Sequence, residues 1–299
     1  MAMDWDKLRV FHAVAKAGSF THAGEDLHLS QSAVSRQISA LEDSLGCTLF
    51  HRHARGLLLT EAGELLFRTA NEVLSKLALT TKMLGDLQNR PQGPLRISTT
   101  VAFGSTWLTP RMPEFLALYP DIKVTLLTTD SELDLSMGEA DCAIRFTRPR
   151  QPDMVQRRMM QLHSHLYAAP DYLAAHGAPK TVDDLDRHQL VVYGQDAQIH
   201  PPVPEINWVL ELGGVDKPRR PALTINNVYG IFRAVRAGLG IGSLPDFLAE
   251  EAPELVRVLP QVEAPELHAF FVYPEELRHS KRLIVFRDFI LRKVTETRF

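Results

Sequence analysis

The chain has 299 residues, 45% hydrophobic, 23% charged and 8% aromatic, with a formal net charge of −3. Ordinary apolar content and a small net charge exclude a mainly disordered chain; the length suits roughly two domains, and no uncharged apolar run of about 18 residues is present to span a membrane as a helix. Two cysteines, Cys47 and Cys142, exclude a disulfide framework and a Cys-rich zinc site. The opening segment, Met1 to Lys7, carries acidic residues where a secretory signal needs basic ones, so a cytoplasmic location is expected.

Charge is evenly spread: residues 1–90 hold ten basic and ten acidic side chains. Proline divides the chain better, since all 19 lie from Pro91 onward. A proline-free, helix-patterned first third is therefore followed by a region of mixed strand and helix signals. No internal repeat and no low-complexity tract is evident.

Leu8, Phe11, Val14 and Ala15 recur at helical spacing and predict a helix over about 5–17, stopped by Gly18-Ser19. Thr21 is the expected cap of a short second helix with Ala23 and Leu27. After a tight turn at His28-Leu29, Ser30 is the expected cap of a third helix, striped by Val34, Ile38, Leu41 and Leu45 and ended by Gly46. Two short strands are expected at Thr48–Phe50 and Leu57–Thr60, joined by the basic loop from His51 to Gly56. Helix, short helix, turn, helix and hairpin together describe a winged helix-turn-helix.

Thr60 is placed to cap a long helix over 61–89. Along it Leu66, Ala70, Val73, Leu77, Thr80, Leu84 and Leu87 alternate in steps of four and three, a coiled-coil seam of about three heptads. A lone helix cannot bury such a stripe, so a second copy of the chain is the expected partner. Residues 88–94 read as a linker. Beyond it, strands are expected at Leu95–Thr99, Lys123–Thr128 and Asp141–Phe146, with a helix near 104–118. A second block has strands near 189–193, 207–211 and 222–225, a helix near 228–237 and the short strand Ile241–Leu244. A final amphipathic helix over 280–295 should pack on the first block. Alternation of this kind implies α/β layers.

The third helix turns Gln31, Ser32, Ser35, Arg36 and Ser39 away from its apolar stripe. Gln and Arg at the start of such a helix suit bidentate contact with adenine and guanine edges in the major groove, and small Ser residues permit close approach. Arg52, His53 and Arg55 of the hairpin suit the backbone or minor groove, which positions without specifying sequence. The DNA-reading set is therefore Ser30, Gln31, Ser32, Ser35, Arg36, Arg52, His53 and Arg55, with double-stranded DNA as the partner.

These residues carry a resemblance. Phe11, Gly18-Ser19-Phe20-Thr21, the run Leu29-Ser30-Gln31-Ser32-Ala33-Val34-Ser35-Arg36-Gln37-Ile38, Leu41-Glu42, Leu45-Gly46, Leu49-Phe50-His51-Arg52, Arg55-Gly56 and Leu59-Thr60-Glu61-Ala62-Gly63 resemble the LysR-type transcriptional regulators over about sixty residues. The order of elements that follows is similar to that family over essentially the whole chain. The resemblance implies a homo-oligomer, commonly a tetramer built from dimers, RNA polymerase as a further candidate partner, and a Rossmann-like effector domain of the periplasmic-binding-protein type. It implies a winged helix-turn-helix at 1–60, a dimerising linker helix at 61–90 and an effector domain at 91–299. In that domain subdomain I takes 91–163 and 267–299, subdomain II takes 164–266, and the small effector sits between them.

Hydroxyls and free N–H groups where a strand runs into a helix make an anion-binding corner. Ser98, Thr99 and Thr100 stand at such a junction. Thr128, Thr129, Asp130 and Thr147 follow strands at the same carboxyl edge, and Asn226 falls between strand and helix in the second block. Arg145 has two readings, a bidentate ligand for an effector carboxylate or a solvent-facing side chain. Asp130 would repel an anion.

Other signals carry less. Gly238, Gly240 and Gly242 follow a helix and precede a strand, the reverse of a dinucleotide loop. His51 and His53 flank Arg52, which repels a metal ion; His163 and His165 suit hinge packing or a ligand hydrogen bond. Neither a nucleophile elbow nor an ordered Ser-His-Asp set occurs, so no catalytic residue, metal or cofactor is expected. The alternatives are a thiol-based regulator of the same fold using Cys47 or Cys142, a small-molecule-binding protein without a DNA role, and an enzyme on an α/β scaffold.

Overall fold

The structure, a computed structural model, describes residues 4–53, 56–86, 90–147, 153–194, 206–213 and 219–297. It divides into two compact units, residues 1–82 and 83–299.

In the first unit, α1 (Trp5–Ala17), α2 (Phe20–Leu27) and α3 (Gln31–Leu45) enclose a core of Leu8, Val10, Phe11, Val14, Ala23, Val34, Ile38 and Leu41. Apolar residues three and four apart on each helix meet there, and burial of each large side chain stabilises by about 1.5–3 kcal/mol. The cap of α2 is Ser19, whose hydroxyl accepts the His22 N–H at 3.5 Å; Thr21, the expected cap, lies inside the helix and is exposed. Strands β1 (Phe50–His53) and β2 (Gly56–Leu59) pair antiparallel, Phe50 opposite Leu59, a few residues from their expected limits. Phe50 packs on Phe11 with ring centroids 5.4 Å apart, which ties the hairpin to the core.

The Thr60 hydroxyl donates to Thr48 O and accepts the Gly63 N–H at 3.0 Å, so it caps α4 (Glu61–Asp86) as expected. The seam on α4 needs correction. Ala70 is fully buried and Leu66 half-buried, both in the core of their own unit. Val73, Leu77 and Thr80 are exposed; the Leu84 side chain and Leu87 lie outside the described residues. The outward stripe therefore begins at Val73.

In the second unit, β3 (Gly93–Thr99), β4 (Ile122–Thr128) and β5 (Cys142–Arg145) run parallel in the order β4-β3-β5. The single helix expected near 104–118 is instead a π-helical turn (Phe103–Leu108), a 3-10 turn and α5 (Met112–Leu118). Strand β6 (Met154–Leu162) completes this sheet, and a single residue, His163, separates it from β7 (Ser164–Ala168) of the other sheet. After α6 (Pro170–His176) come β8 (Leu190–Tyr193), β9 (Leu223–Ile225), α7 (Val228–Arg236), β10 (Ile241–Pro245), α8 (Asp246–Ala249) and β11 (Val256–Val258). β12 (Leu267–Pro274) returns to the first sheet, antiparallel to β5 and β6, and α9 (Lys281–Glu296) packs on that sheet, Phe286 against Phe115 and Phe271.

Residues 207–211 are not a strand: Trp208–Leu210 is a 3-10 turn. The two sheets share one strand plan, β4-β3-β5-β12-β6 and β9-β8-β10-β7-β11, with the first three strands parallel and the last two each antiparallel to its inner neighbour. A parallel core whose order reverses beside its first strand opens a crevice at the carboxyl ends of the strands. No helix among the described residues is long and apolar enough to cross a membrane.

Candidate functional site

The helix-turn-helix depends on a close approach at its turn. Leu29 N–H donates to Gly24 O at 2.8 Å, and a Cβ on Gly24 would stand 2.7 Å from Leu29 O. Only glycine lets α2 pass the turn so closely. His28 makes the bend with φ +55°, in the left-handed region.

The turn delivers α3 with its start in solvent. The Ser30 hydroxyl accepts the Ala33 N–H at 3.2 Å and lies 3.1 Å from the Ser32 hydroxyl. Ser30, Gln31, Ser32 and Arg36 are exposed and Ser35 is half-buried. Arg36 Nε donates to Ser32 O at 3.3 Å, which aims the guanidinium along the exposed face. These five share one face at one helix end. Arg52 and His53 have their backbones in β1, but their side chains, like the whole of Arg55, lie outside the described residues.

Glu42 was not legible as a functional residue. Its carboxylate accepts the Leu49 N–H at 2.7 Å and the Phe50 N–H at 3.4 Å, fixing the hairpin to α3. A charge-assisted bond of this kind is stronger than a neutral one. An acidic residue late in a helix gives no sequence sign of such a distant partner.

In the second unit the parallel strands gather the predicted hydroxyls at one edge. Thr99 lies opposite Thr128, and Thr129 N–H donates to Thr99 O at 2.9 Å. Thr100, Thr129 and Thr147 are half-buried and Thr128 is exposed, whereas Ser98 and Thr99 have no exposed surface. Gly104 makes the corner compact, since a Cβ there would meet Thr128 Cγ2 at 2.5 Å and Thr99 Cγ2 at 2.9 Å. It sits in the π-helical turn, a local distortion frequent at functional sites.

Arg145 is 6% exposed, which removes the solvent-facing reading. Its Nη2 donates to Leu133 O at 3.4 Å; burial lowers its pKa while Glu132 opposes the shift. Glu132 in turn accepts the Thr147 hydroxyl at 3.1 Å. Burial pushes the Asp130 carboxyl up to about 6, against a weaker opposing hydrogen bond from Val101 N–H.

On the second sheet Asn226 is exposed and accepts from Asn227, the cap of α7. Four further residues shape this edge. Asn207 accepts the Tyr193 N–H and donates to Tyr193 O, both at 2.9 Å; Trp208 Nε1 donates to Ser243 at 3.0 Å. The Tyr193 phenol is pushed up by burial and then by the charge of Asp130, so those groups sense each other from the two sheets. Phe103 meets Phe247 at 5.7 Å, joining the π-helical turn to α8. His163 O accepts the Asp246 N–H, and His165 Nδ1 lies 2.6 Å from the Asp246 carboxylate, which also accepts from Tyr167. Both histidines thus serve the join between β6, β7 and α8. Cys142 is fully buried, and burial, then Asp141, raises its thiol pKa, which suppresses the reactive thiolate.

A winged helix-turn-helix with a solvent-facing polar helix, carried on the same chain as paired α/β subdomains, defines a ligand-responsive DNA-binding regulator. Residues 5–64 match the profile of the bacterial regulatory helix-turn-helix proteins of the lysR family, and residues 88–295 match that of the LysR substrate-binding domain. The chain belongs to the LysR family of transcriptional regulators. It is 32% identical over 291 residues to the uncharacterised HTH-type transcriptional regulator YhjC of Escherichia coli, covering 95% of each chain. The solved structure of CrgA, a LysR-type transcriptional regulator from Neisseria meningitidis, is similar with a TM-score of 0.62 at 28% identity, over 98% of this chain and 99% of that one. The full-length virulence activator AphB of Vibrio cholerae gives a TM-score of 0.62 at 28% identity, over 97% and 99%.

Proposed function

We propose that this regulator reads DNA through Ser30, Gln31, Ser32, Ser35 and Arg36, with Arg52, His53 and Arg55 positioning the hairpin on the duplex. The observation that carries the reading is the exposed polar start of α3, held by the Ser30 cap and by the Gly24 turn. In this division residues 1–60 read DNA, 61–90 pair two copies, and 91–299 bind the effector, with subdomain I at 91–163 and 267–299 and subdomain II at 164–266. The exposed stripe of Val73, Leu77 and Thr80 supports pairing through α4. Two paired copies would read two half-sites, and a tetramer built from two such dimers would span a longer operator.

The effector cleft is the edge shared by Thr100, Thr128, Thr129, Thr147, Arg145 and Asn226, with Ser98 and Thr99 beneath it. An effector that binds one arrangement of subunits better than another shifts the assembly and with it the spacing or bending of the DNA. The protein acts in the cytoplasm and catalyses no reaction. The buried, inert Cys142 thiol offers no redox switch, Cys47 is exposed, and the match of residues 88–295 to a substrate-binding domain favours a metabolite effector. The test is fluorescence anisotropy of the full-length protein on the intergenic DNA upstream of its gene. Salt-resistant preference over a scrambled duplex is expected; indifference to both duplexes would remove the DNA role.

A further inference from the structure

Three polar side-chain atoms at one corner of the first sheet are buried with no hydrogen-bond partner among the described residues: Ser98 Oγ, Thr99 Oγ1 and Asp130 Oδ2. Folded proteins leave few such atoms, and each one calls for a physical reason. All three stand at the carboxyl ends of the adjacent parallel strands β3 and β4 or just beyond, where the crevice of such a sheet opens. Asp130 as a whole is only half-buried, as are its chain neighbour Thr129 and Thr100 at the end of β3.

The chemistry of the three groups differs. A hydroxyl donates or accepts and suits a ligand of either charge. An ionised carboxylate only accepts. Asp130 takes one backbone donor, Val101 N–H, and no Lys, Arg or His among the described residues pairs with it. Among the described residues the charges nearby do not supply a cation: Glu132 is acidic, and the buried Arg145 guanidinium is turned to Leu133 O and to the field of Glu132. Across the crevice the Tyr193 phenol feels the charge of Asp130. Among the described residues the corner therefore holds a carboxylate whose Oδ2 lacks a donor.

We propose that the effector is a small organic amine, and that its ammonium or N–H group is received by Asp130 Oδ2 while the hydroxyls of the same corner hold the rest of the molecule. This rests on the crevice being the effector site. A simple carboxylic acid would meet Asp130 as a like charge and is rejected.

The experiment is calorimetric titration of the full-length protein at pH 8, where Asp130 is ionised, with the amino acids, ethanolamine, putrescine and agmatine. Each amine is paired with its analogue lacking the nitrogen. At least one amine binds and its analogue binds at least about tenfold more weakly, as a buried acceptor left unpaired demands. Asp130→Asn keeps an acceptor for Val101 and weakens amine binding by about tenfold or more; Asp130→Glu keeps the charge and restores part of it. Melting curves of each variant confirm that it folds. Amine binding that Asn226→Ala or Thr100→Val weakens but Asp130→Asn leaves intact overturns the proposal and keeps the crevice as the site. Amine binding that none of the three variants changes overturns both. A panel in which no amine binds at millimolar concentration, or in which only nitrogen-free acids bind, overturns the proposal alone.

Discussion

Asp130→Asn should make the protein more stable at neutral pH and leave it nearly unchanged in acid. The Asp130 carboxyl titrates near 6 in the folded chain against an ordinary 3.8, because burial disfavours its ion. Between those values the folded chain holds a proton that the unfolded chain has lost, so stability falls as pH rises through about 4 to 6 and stays lower above. Fully expressed, a difference of that size costs about 3 kcal/mol. The residue is only half-buried, and solvent screening roughly halves the figure, to about 1.5 kcal/mol. Asparagine preserves the shape and the acceptor for Val101 N–H while removing the charge. For a unit of this size the gain at pH 7.5 corresponds to about 4 °C in Tm. At pH 3 most of it should disappear, because the group is then protonated in the folded and the unfolded chain alike. Thermal melts followed by circular dichroism at the two pH values decide the matter. An equal gain at both, or a loss at both, would refute the reasoning that a buried charge sets the difference.

Gly24→Ala should destabilise the first unit by about 1–3 kcal/mol, since the new methyl must displace the Leu29 carbonyl it would meet at 2.7 Å; chemical denaturation measures it. Glu42→Ala strands the Leu49 and Phe50 N–H groups and should cost about 1–3 kcal/mol, with Glu42→Gln losing less because it keeps an acceptor. Val73→Asp combined with Leu77→Asp places two charges on the exposed stripe of α4 and should convert the dimer to monomers in light scattering without changing helix content.

The first third of the chain was legible because its helices carry unbroken apolar stripes and short polar caps. Ser30 caps α3 and Thr60 caps α4, and the apolar residues between them form one core. Periodicity does not say whose core a stripe enters. Leu66 and Ala70 fit the same heptads as Val73 and Leu77, yet they turn into their own unit. Ser19 and Thr21 offer the same hydroxyl, and only the backbone chooses Ser19 as the cap. In the second unit the alternation of strands and helices gave the α/β layers. It misread residues 207–211, where Asn207 and Trp208 are held by Tyr193 and Ser243 from distant strands. The hydroxyls at the strand ends were visible as a group. That Thr100 reaches the surface while Ser98 and Thr99 do not depends on packing against the π-helical turn, which local pattern does not carry.

The central claim is that the start of α3 reads base edges, and Arg36→Ala tests it most directly. Arg36 is exposed and, among the described residues, bonds only to the Ser32 carbonyl of its own helix, so its loss leaves the fold intact. Affinities of wild type and variant are compared on the operator and on a scrambled duplex at one salt concentration. The account predicts a loss of about 1–3 kcal/mol on the operator and little on the scrambled sequence. Equal losses on both duplexes would contradict it and leave Arg36 as a phosphate contact.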